Sequence, residues 1–150
     1  MLFRSHGLTH AVKEPGGWQN LGTYNRYQAE EFGRFVQKLK STPEPNGKGN
    51  LLDNTFAMHG SASSSFHLSR NYPIISAGGA NLGFTNGRYL KFGTGNEDNQ
   101  AGAGIATDAG WNSKMEVEEL PLAKLFVTIL QRLGVEKDSF GGHTGTLARV

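Results

Sequence analysis

The chain has 150 residues, 37% hydrophobic and 19% charged, which is long enough to bury a real core in one domain. Fifteen Lys and Arg against thirteen Asp and Glu leave a net charge of +2, and the basic residues are scattered, which argues against nucleic-acid or membrane-surface binding through a basic cluster. There is no cysteine, so disulfides and thiolate metal sites are excluded, and no apolar run approaches the roughly 18 residues of a membrane span.

The opening MLFRSHGLTH lacks the apolar stretch of a signal peptide. The expectation is a protein that stays inside the cell or one whose true N-terminus is missing. Ser5 to Gly22 holds His6 and His10 and then Pro15, Gly16 and Gly17, and is read as a loop. From Thr23 the pattern changes. Tyr24, Tyr27, Phe32, Phe35, Val36 and Leu39 recur at helical spacing between charged residues, so a helix over 23–42 is expected, capped by Thr23 and ended before Pro43. Its simplest role is a layer packed on a sheet.

STPEPNGKGN is a surface linker by composition. The stretch from Asn50 to Gly79 then reads as an apolar strand, Leu51 to Met58, a polar loop with His67, and a second strand, Pro73 to Ala77. The second is an unalternating apolar run, as expected where both faces of a parallel strand are covered. Asn86-Gly87 suggests a turn before a short strand from Arg88 to Phe92.

Glycine reaches 21 of 150 residues, about twice the ~7% average, and much of it lies between Gly78 and Gly110. So long a stretch with so little regular structure is unusual for an independent domain, and it points to a piece of something larger. After a surface excursion over 93–118, the final block, 119–150, opens with a helix from Pro121 to Leu133. Leu122, Leu125, Phe126, Ile129, Leu130 and Leu133 form its apolar stripe, and Gly134 suits the left-handed cap with Val135 folding back. The tail is a loop with room for a short final strand. The domain assignment is therefore a single partial domain, 1–150, with strands and loops over 50–92.

Chemistry-bearing candidates are few. His6 and His10 are four apart, a familiar metal-ligand spacing if the segment is helical, although Gly7 and the turn at Pro15 argue against a long helix. His67 lies where an α/β enzyme places an acid-base group or a ligand. His59 ends the first strand and can be a packed or edge residue; His143 has no partner in sequence. Ser61 to Ser65 offers hydroxyls without a base, Asp108 reads as a turn former, and GGANLG at 78–83 lacks the spacing of a dinucleotide fingerprint.

Taken in order, His6-Gly7-Leu8-Thr9-His10, Leu51-Leu52-Asp53-Asn54-Thr55, Gly60-Ser61, His67, and Tyr72-Pro73 through Gly78-Gly79 resemble the C-terminal part of a bacterial family of unknown function. Gly87-Arg88-Tyr89-Leu90, Leu120 through Val135, Phe140-Gly141 and Thr144-Gly145 extend the resemblance over nearly the whole chain. That family is named for a His-x-x-Ser-His-His motif, is best represented in planctomycetes, and is similar to sulfatase-like and alkaline-phosphatase-like hydrolases. The resemblance implies an α/β fold, the C-terminal portion of an alkaline-phosphatase-like αβα sandwich with a mostly parallel sheet, incomplete without an N-terminal half.

It further implies export to the periplasm or beyond, and metal-dependent hydrolysis of phosphate or sulfate esters of a small molecule or glycan. A divalent metal would be held by His6, His10 and His67. Ala11 stands where the motif's last histidine belongs and Ser69 where the loop usually carries a second histidine, so two nitrogen ligands of the family pattern are missing. The alternatives are a non-catalytic exported scaffold that binds glycan or another envelope component, and a truncated fragment without activity of its own.

Overall fold

The computed structural model describes residues 5–61, 73–90, 122–148 and 150. The chain divides into two compact units, Met1–Leu51 and Leu52–Val150.

The first unit is helical where a loop was expected. Helix α1 (Ser5–His10) runs into a 3-10 turn (Ala11–Lys13), and α2 spans Gly17–Ser41. Helix α2 therefore starts at Gly17, not Thr23. Gly16 turns the chain with φ 75° in the left-handed region, and its carbonyl accepts the Asn20 N–H at 3.0 Å. Thr23 lies inside the helix, where its Oγ1 donates to the Gln19 carbonyl one turn back at 2.9 Å, so its hydroxyl is spent on the interior of the helix and caps nothing.

The end of α2 agrees with expectation: Thr42 is extended ahead of Pro43, and its N–H donates to the Leu39 carbonyl. The expected linker is an ordered turn, with the Glu44 N–H on the Gly49 carbonyl and Pro43 bridged to Asn50. Leu21, Tyr24, Phe32, Val36 and Leu39 form a half-buried stripe, whereas Tyr27 and Phe35 are exposed.

A 3-10 turn (Leu51–Asn54), whose first residue closes the first unit, precedes β1 (Phe56–Gly60), which in the second unit pairs with β2 (Ile74–Gly78). The pairing is antiparallel, Phe56 opposite Gly78 and Gly60 opposite Ile74, and the Ser61 N–H closes on the Pro73 carbonyl at 3.3 Å. This overturns the expected mostly parallel αβα sandwich. Among the described residues the sheets are two antiparallel ribbons: β1–β2, and β3 (Ser139–Phe140) with β4 (His143–Thr144).

The apolar run in β2 misled because composition does not reveal which faces are covered. Ile75 is 56% exposed and Ser76, which projects to the opposite face, is exposed too, so neither face of β2 is covered along its length, unlike a strand buried between helix layers. Antiparallel strands also need no crossover to return, whereas a parallel pair does. Arg88 to Leu90 form no strand, although Gly87 does turn the chain with φ 76°. Residues 91 and 92, like the 93–118 excursion, lie outside the described residues.

Gly78 and Gly79 end β2 in consecutive left-handed conformations, φ 84° and 71°. At Gly78 a Cβ would sit 2.6 Å from the Leu52 carbonyl oxygen, so only glycine lets this strand end lie on the preceding 3-10 turn. The Gly79 N–H completes that contact on the Leu52 carbonyl at 2.9 Å. A further 3-10 turn (Ala80–Leu82) then brings Phe84 into the interior.

Helix α3 (Leu122–Arg132) ends as its sequence dictates. The Val135 N–H donates to the Leu130 carbonyl and the Gly134 N–H to the Gln131 carbonyl, both at 3.0 Å, with Gly134 at φ 80°; this is the Schellman arrangement. The apolar stripe was only part of its packing. Val127 is fully buried and Thr128 nearly so, both outside the stripe, while Leu133 is exposed. Among the described residues, the buried hydrophobic residues of this unit are Ala57, Phe84, Leu125 and Val127. Among the described residues no helix is long and apolar enough to cross a membrane.

Candidate functional site

Both N-terminal histidines fall on α1, one helical turn apart, so the segment read as a loop has the backbone geometry in which a four-residue spacing is meaningful. What holds α1 in place is the start of α2. The Glu14 N–H donates to the Ala11 carbonyl at 3.0 Å and the Gly17 N–H to the Glu14 carbonyl at 2.8 Å. Gly17 is the buried residue of α2, and a Cβ there would overlap the Ala11 carbonyl. Close backbone approach at this glycine thus folds the histidine-bearing arm against the helix that follows.

Ala11 opens the 3-10 turn, half-buried, and its carbonyl accepts the Glu14 N–H. His10 is exposed and ends α1. Among the described residues no three His, Asp or Glu side chains gather in a group able to hold a metal ion. His67 and Ser69, with the loop that bears them, and Asp108 lie outside the described residues.

The remaining histidines are placed. His59 is half-buried in β1, opposite Ile75 and on the same side of the strand as buried Ala57. It is a ribbon residue, with the alternate positions Met58 and Gly60 exposed. His143 is exposed in β4, opposite Phe140. That tail hairpin is anchored by Phe140 against Phe126 of α3, with ring centroids 5.0 Å apart.

The most unusual electrostatic feature was not foreseen from the sequence. Phe84 is 5% exposed and stacks on Phe56 with centroids 4.0 Å apart, and the Arg132 guanidinium lies over Phe84, 4.4 Å from its centroid. The Arg132 Nη1 is buried and has no hydrogen-bond acceptor among the described residues. A cation over a ring contributes about 0.5–2 kcal/mol. Leaving a charged donor buried and unsatisfied costs about 1–3 kcal/mol or more, so the stacking does not clearly offset the loss. A basic residue in the last turn of α3 also suits the helix dipole, but that interaction does not supply an acceptor for Nη1. Helical periodicity carries no trace of this arrangement, because Phe84 comes from a glycine-rich turn far away in sequence; an aromatic residue isolated in GGANLGF was the available signal.

The carboxyl end is tied to the same helix. Thr128 donates through Oγ1 to the Lys124 carbonyl and accepts the Leu147 N–H, both at 2.8 Å. Asn86 fixes the turn that delivers Phe84 by donating to the Gly78 carbonyl at 3.0 Å. No protein-family model, curated protein or solved structure matches the chain.

Proposed function

We propose that the chain is part of a metal-dependent hydrolase acting on phosphate or sulfate esters, with His6 and His10 as ligands of a divalent cation. The observation that carries this reading is the placement of both residues on α1 at a helical i, i+4 spacing, in a segment pinned by Gly17. The sequence resemblance adds the ester class and a third ligand, His67. A divalent cation supplies Lewis-acid polarisation of an ester oxygen and a more acidic bound water. The chain's own part is to offer imidazole nitrogens, which must be neutral to bind, so metal uptake should weaken as pH falls through the histidine range.

The test is zinc binding by the full chain and by His6→Ala, His10→Ala and His67→Ala, alongside hydrolysis of p-nitrophenyl phosphate and p-nitrophenyl sulfate. Each variant is expected to lose about tenfold or more in zinc affinity. Equal zinc content in all three variants and the parent would sink the proposal.

Ala11 favours a second reading, a non-catalytic exported scaffold that binds glycan. Ala11 offers no imidazole where the resemblance would put a ligand, and Ser69 is a second such loss. A chain that retains glycan on an affinity array while taking up no zinc would support this reading over the hydrolase.

A further inference from the structure

From the Arg132 side chain we infer that the second unit carries an oxyanion-binding site, whose ligand is a phosphate, sulfate or carboxylate group. This inference does not rest on the histidine pair or on any metal. A guanidinium presents its N–H groups in a planar fork that matches two oxygens of such an anion. In Arg132 the guanidinium carbon lies over the Phe84 ring, 4.4 Å from its centroid, and Phe84 is itself held by Phe56. The guanidinium is thereby held at the Phe56–Phe84 stack.

The Nη1 is the group that calls for an acceptor. It is buried and has no hydrogen-bond partner among the described residues, a condition that native structures rarely leave uncompensated. Arg132 as a residue is half-buried, not fully enclosed. Because Nη1 itself is covered, pairing it with an external oxygen requires a neighbouring group to move aside. Binding should therefore perturb Arg132 and Phe84 together. The glycine-rich turn that positions Phe84, with Gly79 and Gly83 both at positive φ, makes the Phe84 side of the site specific to this backbone.

The experiment is nuclear magnetic resonance of the full chain labelled at arginine and phenylalanine, titrated at constant ionic strength with sodium phosphate, sodium sulfate and sodium acetate in separate arms. A saturable, coupled shift of the Arg132 Nε and Phe84 ring signals is expected with at least one anion. Response to phosphate and sulfate assigns a tetrahedral ester or free anion; response to acetate alone assigns a carboxylate. Arg132→Gln should weaken that binding by about tenfold or more, and Arg132→Lys, which keeps the charge and loses the fork, should fall between. Arg132 signals unmoved by all three anions, or equal affinity in Arg132→Lys and the parent, would overturn the inference. Should Arg132→Gln fail to fold, the parent signals and the lysine variant still decide.

Discussion

Phe84 lies flat against Phe56, with 26° between the ring planes and 4.0 Å between centroids, and so joins the turn after β2 to the first residue of β1. The pair links the strand ribbon to α3 through Arg132, which covers the Phe84 ring.

Phe84→Ala is accordingly expected to destabilise the second unit by about 3–5 kcal/mol, the usual range for emptying an aromatic core position. Phe84→Leu, which keeps apolar volume without the stack, should cost less. Urea denaturation followed by circular dichroism measures both; a loss under about 1 kcal/mol for the alanine variant would show that this ring is not a core element.

Gly78→Ala tests the close approach between β2 and the Leu51–Asn54 turn. With φ 84° and the Leu52 carbonyl oxygen 2.6 Å from the would-be Cβ, strain and overlap together should exceed about 2 kcal/mol. Gly87→Ala is the control, since it shares a positive φ but has open space around its Cβ. Equal losses at the two positions would mean that overlap at Gly78 contributes nothing.

Thr128→Val removes a hydroxyl that both donates to Lys124 and accepts from Leu147 while keeping the side chain's shape. The Leu147 N–H loses its acceptor, so a cost of about 1–3 kcal/mol is expected. Hydrogen exchange at the Leu147 amide should accelerate beyond what this global loss explains. Unchanged exchange there would mean that the tail is held by other contacts.

Arg34 donates a hydrogen bond to Glu31 on α2, and that bond, aided by the nearby positive charge, holds the Glu31 carboxyl below its usual range. A depressed folded value means that the contribution is fully present above the unfolded carboxylate range and is lost as pH falls through the depressed value. Both side chains are well exposed, so the effect on stability is small. Helicity of the parent should decline more than that of Glu31→Gln between about pH 5 and about pH 2. Superimposable acid titrations by circular dichroism would remove the pair from the helix energetics.

Local chemistry was legible wherever the determinant lay within a few residues. The end of α2 before Pro43 and the cap at Gly134-Val135 follow from backbone rules that need no partner, because a proline restricts its predecessor and a glycine alone takes the left-handed cap without strain. The start of α2 was missed because Thr23 mimics a cap, while the actual start depends on Gly16 and on Gly17 meeting the Ala11 carbonyl. On the site, the spacing of His6 and His10 was visible, but only folding made the segment a helix.

Direction of pairing was beyond sequence altogether. The apolar run of β2 is compatible with either sense; the observed pairing, Gly60 opposite Ile74, is antiparallel, and Ile75 is exposed. The burial of Val127, the Phe56–Phe84–Arg132 stack and the orphaned Nη1 likewise arise from contacts between residues far apart in the chain. By itself the sequence determined where helices stop and where glycine must turn the backbone, since those are short-range steric facts. Only the tertiary structure decided which faces are covered and which charge is left without an acceptor, because burial is a property of what the rest of the chain brings alongside.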